Sequence, residues 1–252
     1  MYNIIFRIIA IGILLLSFAE LKAQIITDRP DQTESSSTVG GGNLQIESGI
    51  VAIFEGNSYS SNRQILAPTT LFRYGITKGI ELRFVNQFET RKSIFQDKAV
   101  QGISDLEIGT KIQIFQKEDV NTEIAFLSHL ILPIGSEAFT NGSFGTINKL
   151  SIAHNLSENM ALGYNIGYNY FGTGKGDLTY SVALGVGVND KVGVYIEPYG
   201  DLVEFKELVL NFDGGFTYLV NPNLQLDFSF GTSATENMNY VSAGVSWLIH
   251  KN

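Results

Sequence analysis

From Asn43 onward nearly every second residue is apolar, and the residues between are small or polar. Only an extended, pleated strand keeps such a two-residue period on one face. Twelve stretches follow it: 43–54, 64–75, 80–91, 102–115, 121–132, 146–156, 161–171, 177–188, 192–200, 207–218, 224–231 and 239–249. In 177–188, for example, Leu178, Tyr180, Val182, Leu184, Val186 and Val188 alternate with Thr179, Ser181, Ala183, Gly185 and Gly187. No stretch carries a helical period, so the chain is expected to be all-β. The links alternate too. Short ones at 76–79, 116–120, 157–159, 189–191 and 221–223 are separated by longer polar ones at 55–62, 92–100, 133–145, 172–176, 201–206 and 232–238. That is the signature of an up-and-down meander whose two ends face different compartments.

Such alternation fits either a soluble barrel with an apolar interior or a membrane barrel with an apolar exterior. The polar face separates the two. In 161–171 and 177–188 it consists of Gly, Asn, Ser, Thr and Ala, without the charges that guard water-exposed strands. Only 17% of residues are charged, low for a surface bathed in water. Turning 102–115 the other way would put Asp105, Glu107 and Lys111 in lipid, where a lysine at the midplane costs about 2–4 kcal/mol. These side chains are therefore expected to face a lumen. The expectation is a transmembrane antiparallel up-and-down β-barrel of about twelve strands over 43–252. Outer-membrane lipids and the barrel-assembly machinery would be its partners.

Two segments precede the barrel. Residues 1–23 read as a signal peptide: Arg7 supplies the positive end, Ile8 to Ala19 is too short an apolar run to span a bilayer, and Leu21-Lys22-Ala23 offers a cleavage site. Residues 24–42 carry Asp28, Arg29, Asp31 and Glu34, which fit either a plug folded into the lumen or a loose periplasmic tail. The formal net charge of −8 argues against nucleic acid as a partner, and the absence of cysteine excludes disulfides and thiol chemistry.

Several separated motifs occur in order: Thr27-Asp28-Arg29-Pro30-Asp31-Gln32-Thr33-Glu34-Ser35, Pro68 to Ile76, Glu81-Leu82-Arg83 and Ser104 to Lys111. Leu132-Pro133-Ile134-Gly135, Asp213 to Tyr218, Leu224-Gln225-Leu226-Asp227 and Ser242 to Trp247 continue them. With these the chain resembles, over essentially its whole mature length, the outer-membrane transporter family named for the meta-cleavage pathway of phenol degradation. The resemblance implies an outer-membrane barrel of a Gram-negative bacterium that passes small molecules.

The candidate lumen residues are Arg73, Glu81, Arg83, Glu89, Arg91, Asp105, Glu107, Lys111, Glu123, Glu197, Asp213 and Asp227. Mixed charge inside a barrel lines a solute path by its field, or pairs across strands as a structural network. The expected function is passive passage of small solutes, aromatic or hydrophobic ones among them, without cofactor or metal. The alternative is a non-conducting structural or adhesion barrel acting through its external loops. A lipid-hydrolase reading on Ser151 and His154 is weak, because residues three apart on a strand face opposite sides. His129 shares its face with Glu123, which suits a polar interior better than a metal site.

Overall fold

The structure, a computed structural model, describes residues 25–56, 61–95, 98–117 and 119–251; the signal peptide expected at 1–23 lies outside them. The strands are β1 (Leu44–Gly56), β2 (Ser61–Thr77), β3 (Ile80–Ser93), β4 (Val100–Ile103), β5 (Leu106–Phe115), β6 (Thr122–Leu132), β7 (Gly145–Ser157), β8 (Met160–Tyr170), β9 (Asp177–Gly187), β10 (Val192–Val203), β11 (Glu207–Asn221), β12 (Leu224–Ser233) and β13 (Met238–Ile249). Neighbours in sequence are neighbours in the sheet, and β13 pairs antiparallel with β1, so the sheet closes. β4 and β5 both pair with β3 and form the two halves of one stave. The barrel therefore has twelve staves.

The interruption falls at Ser104-Asp105, inside the stretch 102–115 that reads as continuous from its alternation. Ser104 N–H still donates to Gln87 O at 3.0 Å, so the line of the ladder survives. The Asp105 carboxylate accepts instead from the backbone N–H of Gly135 (3.0 Å) and Asn141 (2.9 Å) in the long link between β6 and β7.

The faces are inverted relative to a soluble protein. Ile196 is 64% exposed and Phe230 58%, whereas Glu47, Arg73, Glu81, Arg83 and Lys111 are buried. Apolar side chains outside and charges within are what hydrocarbon around the barrel demands. Outward aromatic residues pair across strands, as Phe72 does with Phe84 and Phe216 with Phe228, adding to each pairing. Replacing Ile196, near the middle of β10, by arginine should destabilise the barrel by about 2–4 kcal/mol. The check is the urea midpoint for loss of the heat-modifiable gel band.

The segment before β1 lies inside the barrel. Ile25 N–H donates to Pro222 O (2.9 Å) at the rim carrying the short links, and Gly42 N–H donates to Gly75 O (2.7 Å) at the same rim. Between these points the chain rises into the lumen and returns. On its way back it passes so close to β2 that a Cβ on Gly75 would stand 2.2 Å from Gly40 O; only glycine admits the crossing.

Candidate functional site

Alternation along β2, β3 and β5 sets Arg73, Glu81, Arg83 and Lys111 on inward positions of adjacent staves, with Arg73 opposite Arg83 and Glu81 opposite Lys111. Two arginines facing each other would repel. The N-terminal segment resolves this by bringing in Asp28. Its carboxylate meets Arg83 Nη1 at 2.6 Å, Lys111 Nζ at 2.9 Å and Arg73 Nη1 at 3.3 Å. Arg73 also pairs with Glu47 and Glu81, both at 2.9 Å, and Arg83 with Glu34 at 2.8 Å. Burial opposes ionisation of Asp28, but Arg73, Lys111 and Arg83 together hold its carboxyl well below the usual range. Arg83 Nε donates to His129 Nε2 (3.0 Å), so His129 carries its proton on Nδ1, which meets Glu107 at 2.8 Å.

A second latch is Arg29, whose Nη2 and Nε reach the two oxygens of Asp227 at 2.9 and 3.2 Å. The guanidinium lies in a slot floored by Gly49 and Gly244, where a Cβ on Gly244 would stand 2.4 Å from Arg29 Nη2. Gly244→Val should fill the slot and expel Arg29 while β13 keeps its pairing. The expected result is a folded barrel whose residues 25–43 become cleavable after Glu34 by a glutamate-specific protease, read by mass spectrometry of the digest. On the far wall, Gln32 N–H and the Thr33 hydroxyl donate to Glu197 (2.7 and 2.5 Å), and Glu34 N–H donates to Asn165 Oδ1 (2.7 Å). Near the return, Val39 N–H donates to Glu81 (2.7 Å), and the hydroxyls of Ser36 and Ser37 reach Glu123.

The candidate residues thus separate by place. Arg73, Glu81, Arg83, Lys111, Glu123, Glu197 and Asp227 touch the N-terminal segment; Asp213 stands opposite Glu197, and Glu107 joins through His129. Glu89 and Arg91 pair nearer the long-link rim, where Arg91 stacks over Phe139. Asp105 belongs to the long link rather than to this network. Ser151 points inward and is buried, whereas His154 bonds Thr122 and stacks on Tyr164; the pair forms no dyad. Among the described residues no acidic or histidine cluster could hold a metal ion.

Two cavities flank the segment among the described residues. One of about 570 Å³, towards the long-link rim, is belted by Val51, Ile53, Leu66, Val85, Ile147 and Met238. The other, about 400 Å³, lies towards the short-link rim beside the small residues Ala161, Gly185, Gly187 and Gly193. Arg29, Pro30 and Asp31 line both. The tip of the segment is a partition between them. Sequence reasoning passed over Glu47, Tyr195, Tyr199, Tyr240 and the apolar belt, although the parity that turns Glu197 inward also turns Tyr195 and Tyr199.

Residues 27–249 match the family described as "Putative MetA-pathway of phenol degradation". No curated protein sequence matches. Among solved structures, the COG4313 outer membrane channel from Pseudomonas putida F1 superposes with a TM-score of 0.67 at 13% identity, over 88% of this chain and 100% of that one. KdgM porin in complex with disordered oligogalacturonate gives 0.55 at 11% identity, over 82% and 99%. At these identities the likeness shows a shared barrel fold.

Proposed function

The chain belongs to the family described as the MetA-pathway of phenol degradation, and from that premise we propose that it is a passive channel of the Gram-negative outer membrane. Residues 25–43 act as its plug. The observation that carries the reading is the partition: two lumenal cavities separated by the three residues Arg29, Pro30 and Asp31. Short links face the periplasm in barrels of this kind, so the 570 Å³ cavity opens towards the outside and the plug occupies the periplasmic half. The cavity falls within the roughly 300–1,000 Å³ typical of small-molecule sites. Its apolar belt suits aromatic and hydrophobic solutes, and the structure of like fold from Pseudomonas putida F1 is named an outer membrane channel.

The plug touches both walls differently. Against β2, β3 and β5 it is held by buried ion pairs; against β8 to β10 it is held by uncharged donors alone, which reach Asn165, Ser181 and Glu197 beside a stretch of glycine and alanine. A modest swing of the tip away from the small-residue wall would join the cavities. Purified protein in planar bilayers is the test, with conductance expected to be small and to rise several-fold when residues 27–37 are deleted. A folded barrel that stays silent after that deletion overturns the proposal. The non-conducting alternative rests on the number of buried contacts holding the plug, and it predicts that the undeleted protein never conducts.

A further inference from the structure

Three carboxyl groups meet beside the partition without a cation. Glu197 and Asp213 stand opposite each other on β10 and β11, and Asp31 approaches from the plug, next to Gln32, whose N–H donates to Glu197. Among the described residues no ion pair reaches any of the three. Burial, then the charge of Glu197, pushes the Asp31 carboxyl well above its usual range, as expected of an acid lacking a counter-charge.

Aromatic side chains wall this corner. A Cβ on inward-facing Gly231 would stand 2.2 Å from Tyr240 Cε1, and one on Gly215 would stand 2.8 Å from Tyr195 Cε1. The two glycines therefore let two tyrosines lie across neighbouring staves. Tyr240 donates to Asp213 Oδ2. Asp213 Oδ1 and the Tyr195 hydroxyl have no hydrogen-bond partner, although their residues are only 8% and 9% exposed. Buried polar atoms left unpaired mark a place where a partner is missing. Tyr199, Tyr240 and Asp31 also line the 570 Å³ cavity, so the corner is reachable from it.

The cavity's remaining charge is net negative. Arg29, Arg83, Glu34 and Glu47 are ion-paired, and Glu107 meets His129. That leaves Asp31, Glu55 and Glu236 against Lys149, the one lining cation without an ion pair among the described residues.

We infer that this corner is a binding site for an organic ammonium group, and that small amines with a hydrocarbon body are preferred solutes. The inference deepens the channel reading and rests on it for the word solute. Tyrosine faces attract a cation electrostatically, and the carboxylates supply the charge that a buried ammonium needs. The hydrocarbon body lies on Val51, Ile53, Leu66 and Met238.

The test is isothermal titration of the purified protein in detergent at low salt with benzylammonium, benzyl alcohol and benzoate. Benzylammonium is expected to bind about tenfold more tightly than benzyl alcohol, with benzoate weakest. A tyrosine difference spectrum on adding the amine provides a readout that needs no variant. Asp31→Asn combined with Asp213→Asn, checked for heat-modifiable folding, should erase the preference for the amine. Equal binding of amine and alcohol, no binding of the amine, absence of the tyrosine signal, or a preference that survives both substitutions overturns the site. Amine binding in a protein that never conducts would remove the channel reading and leave the site standing.

Discussion

A disulfide between positions 33 and 181 is expected to abolish conductance and solute uptake, and dithiothreitol is expected to restore both. The Thr33 and Ser181 hydroxyls are hydrogen-bonded at 2.7 Å, so Thr33→Cys with Ser181→Cys brings two sulfurs within reach of a bond with little movement of the backbone. The chain has no other cysteine, so the bond has one possible partner on each side. Ser181 sits on β9 and Thr33 in the plug beyond the partition. The bridge therefore ties the plug to the wall that carries small residues, closing the route a swing would open. Single-channel recording of the oxidised and reduced protein decides it. Conductance that is the same in both states would mean that solutes pass beside a stationary plug, and the swing would be wrong.

Asp28→Ala is expected to loosen the plug by about 3–5 kcal/mol, the usual cost of removing one partner from a buried ion cluster. Arg73, Arg83 and Lys111 would keep Glu47, Glu81 and Glu34, but the carboxylate that touches all three cations would be gone. Arginine and lysine side chains facing each other across β2, β3 and β5 would then repel. Hydrogen exchange should show rapid labelling of 27–39 in the variant against slow labelling in the parent, while β6 to β12 exchange alike in both. An unchanged pattern would mean that the wall, not Asp28, orders the segment.

The staves were legible because the lipid-facing residues alternate over whole strands, and hydrocarbon tolerates few exceptions. The break at Ser104-Asp105 was not, since the pairing with β3 slips by one residue there, so that Gly102 opposite Glu89 and Glu107 opposite Val85 both face inward, and only the partner of Asp105, some 30 residues away, explains it. The plug's position was open for a related reason. Asp28 meets Arg83 and Lys111 across 55 and 83 residues of chain, and periodicity carries no information about such distances. The tyrosines show a different limit. Tyr195, Tyr199 and Tyr240 belong by parity to the inner wall, yet their size suggests the membrane interface. It is the neighbouring glycines at 215 and 231 that make room for two of them inside.

The return of the segment at Gly42 into β1 has a kinetic meaning. However far the plug swings, it is covalently leashed at the rim it came from, so reclosure is a first-order event. A tether of this length keeps the tip at an effective concentration on the order of millimolar, independent of how many copies the membrane holds. Opening should therefore be brief and self-terminating, and open dwell times should not change when the protein is diluted in the bilayer.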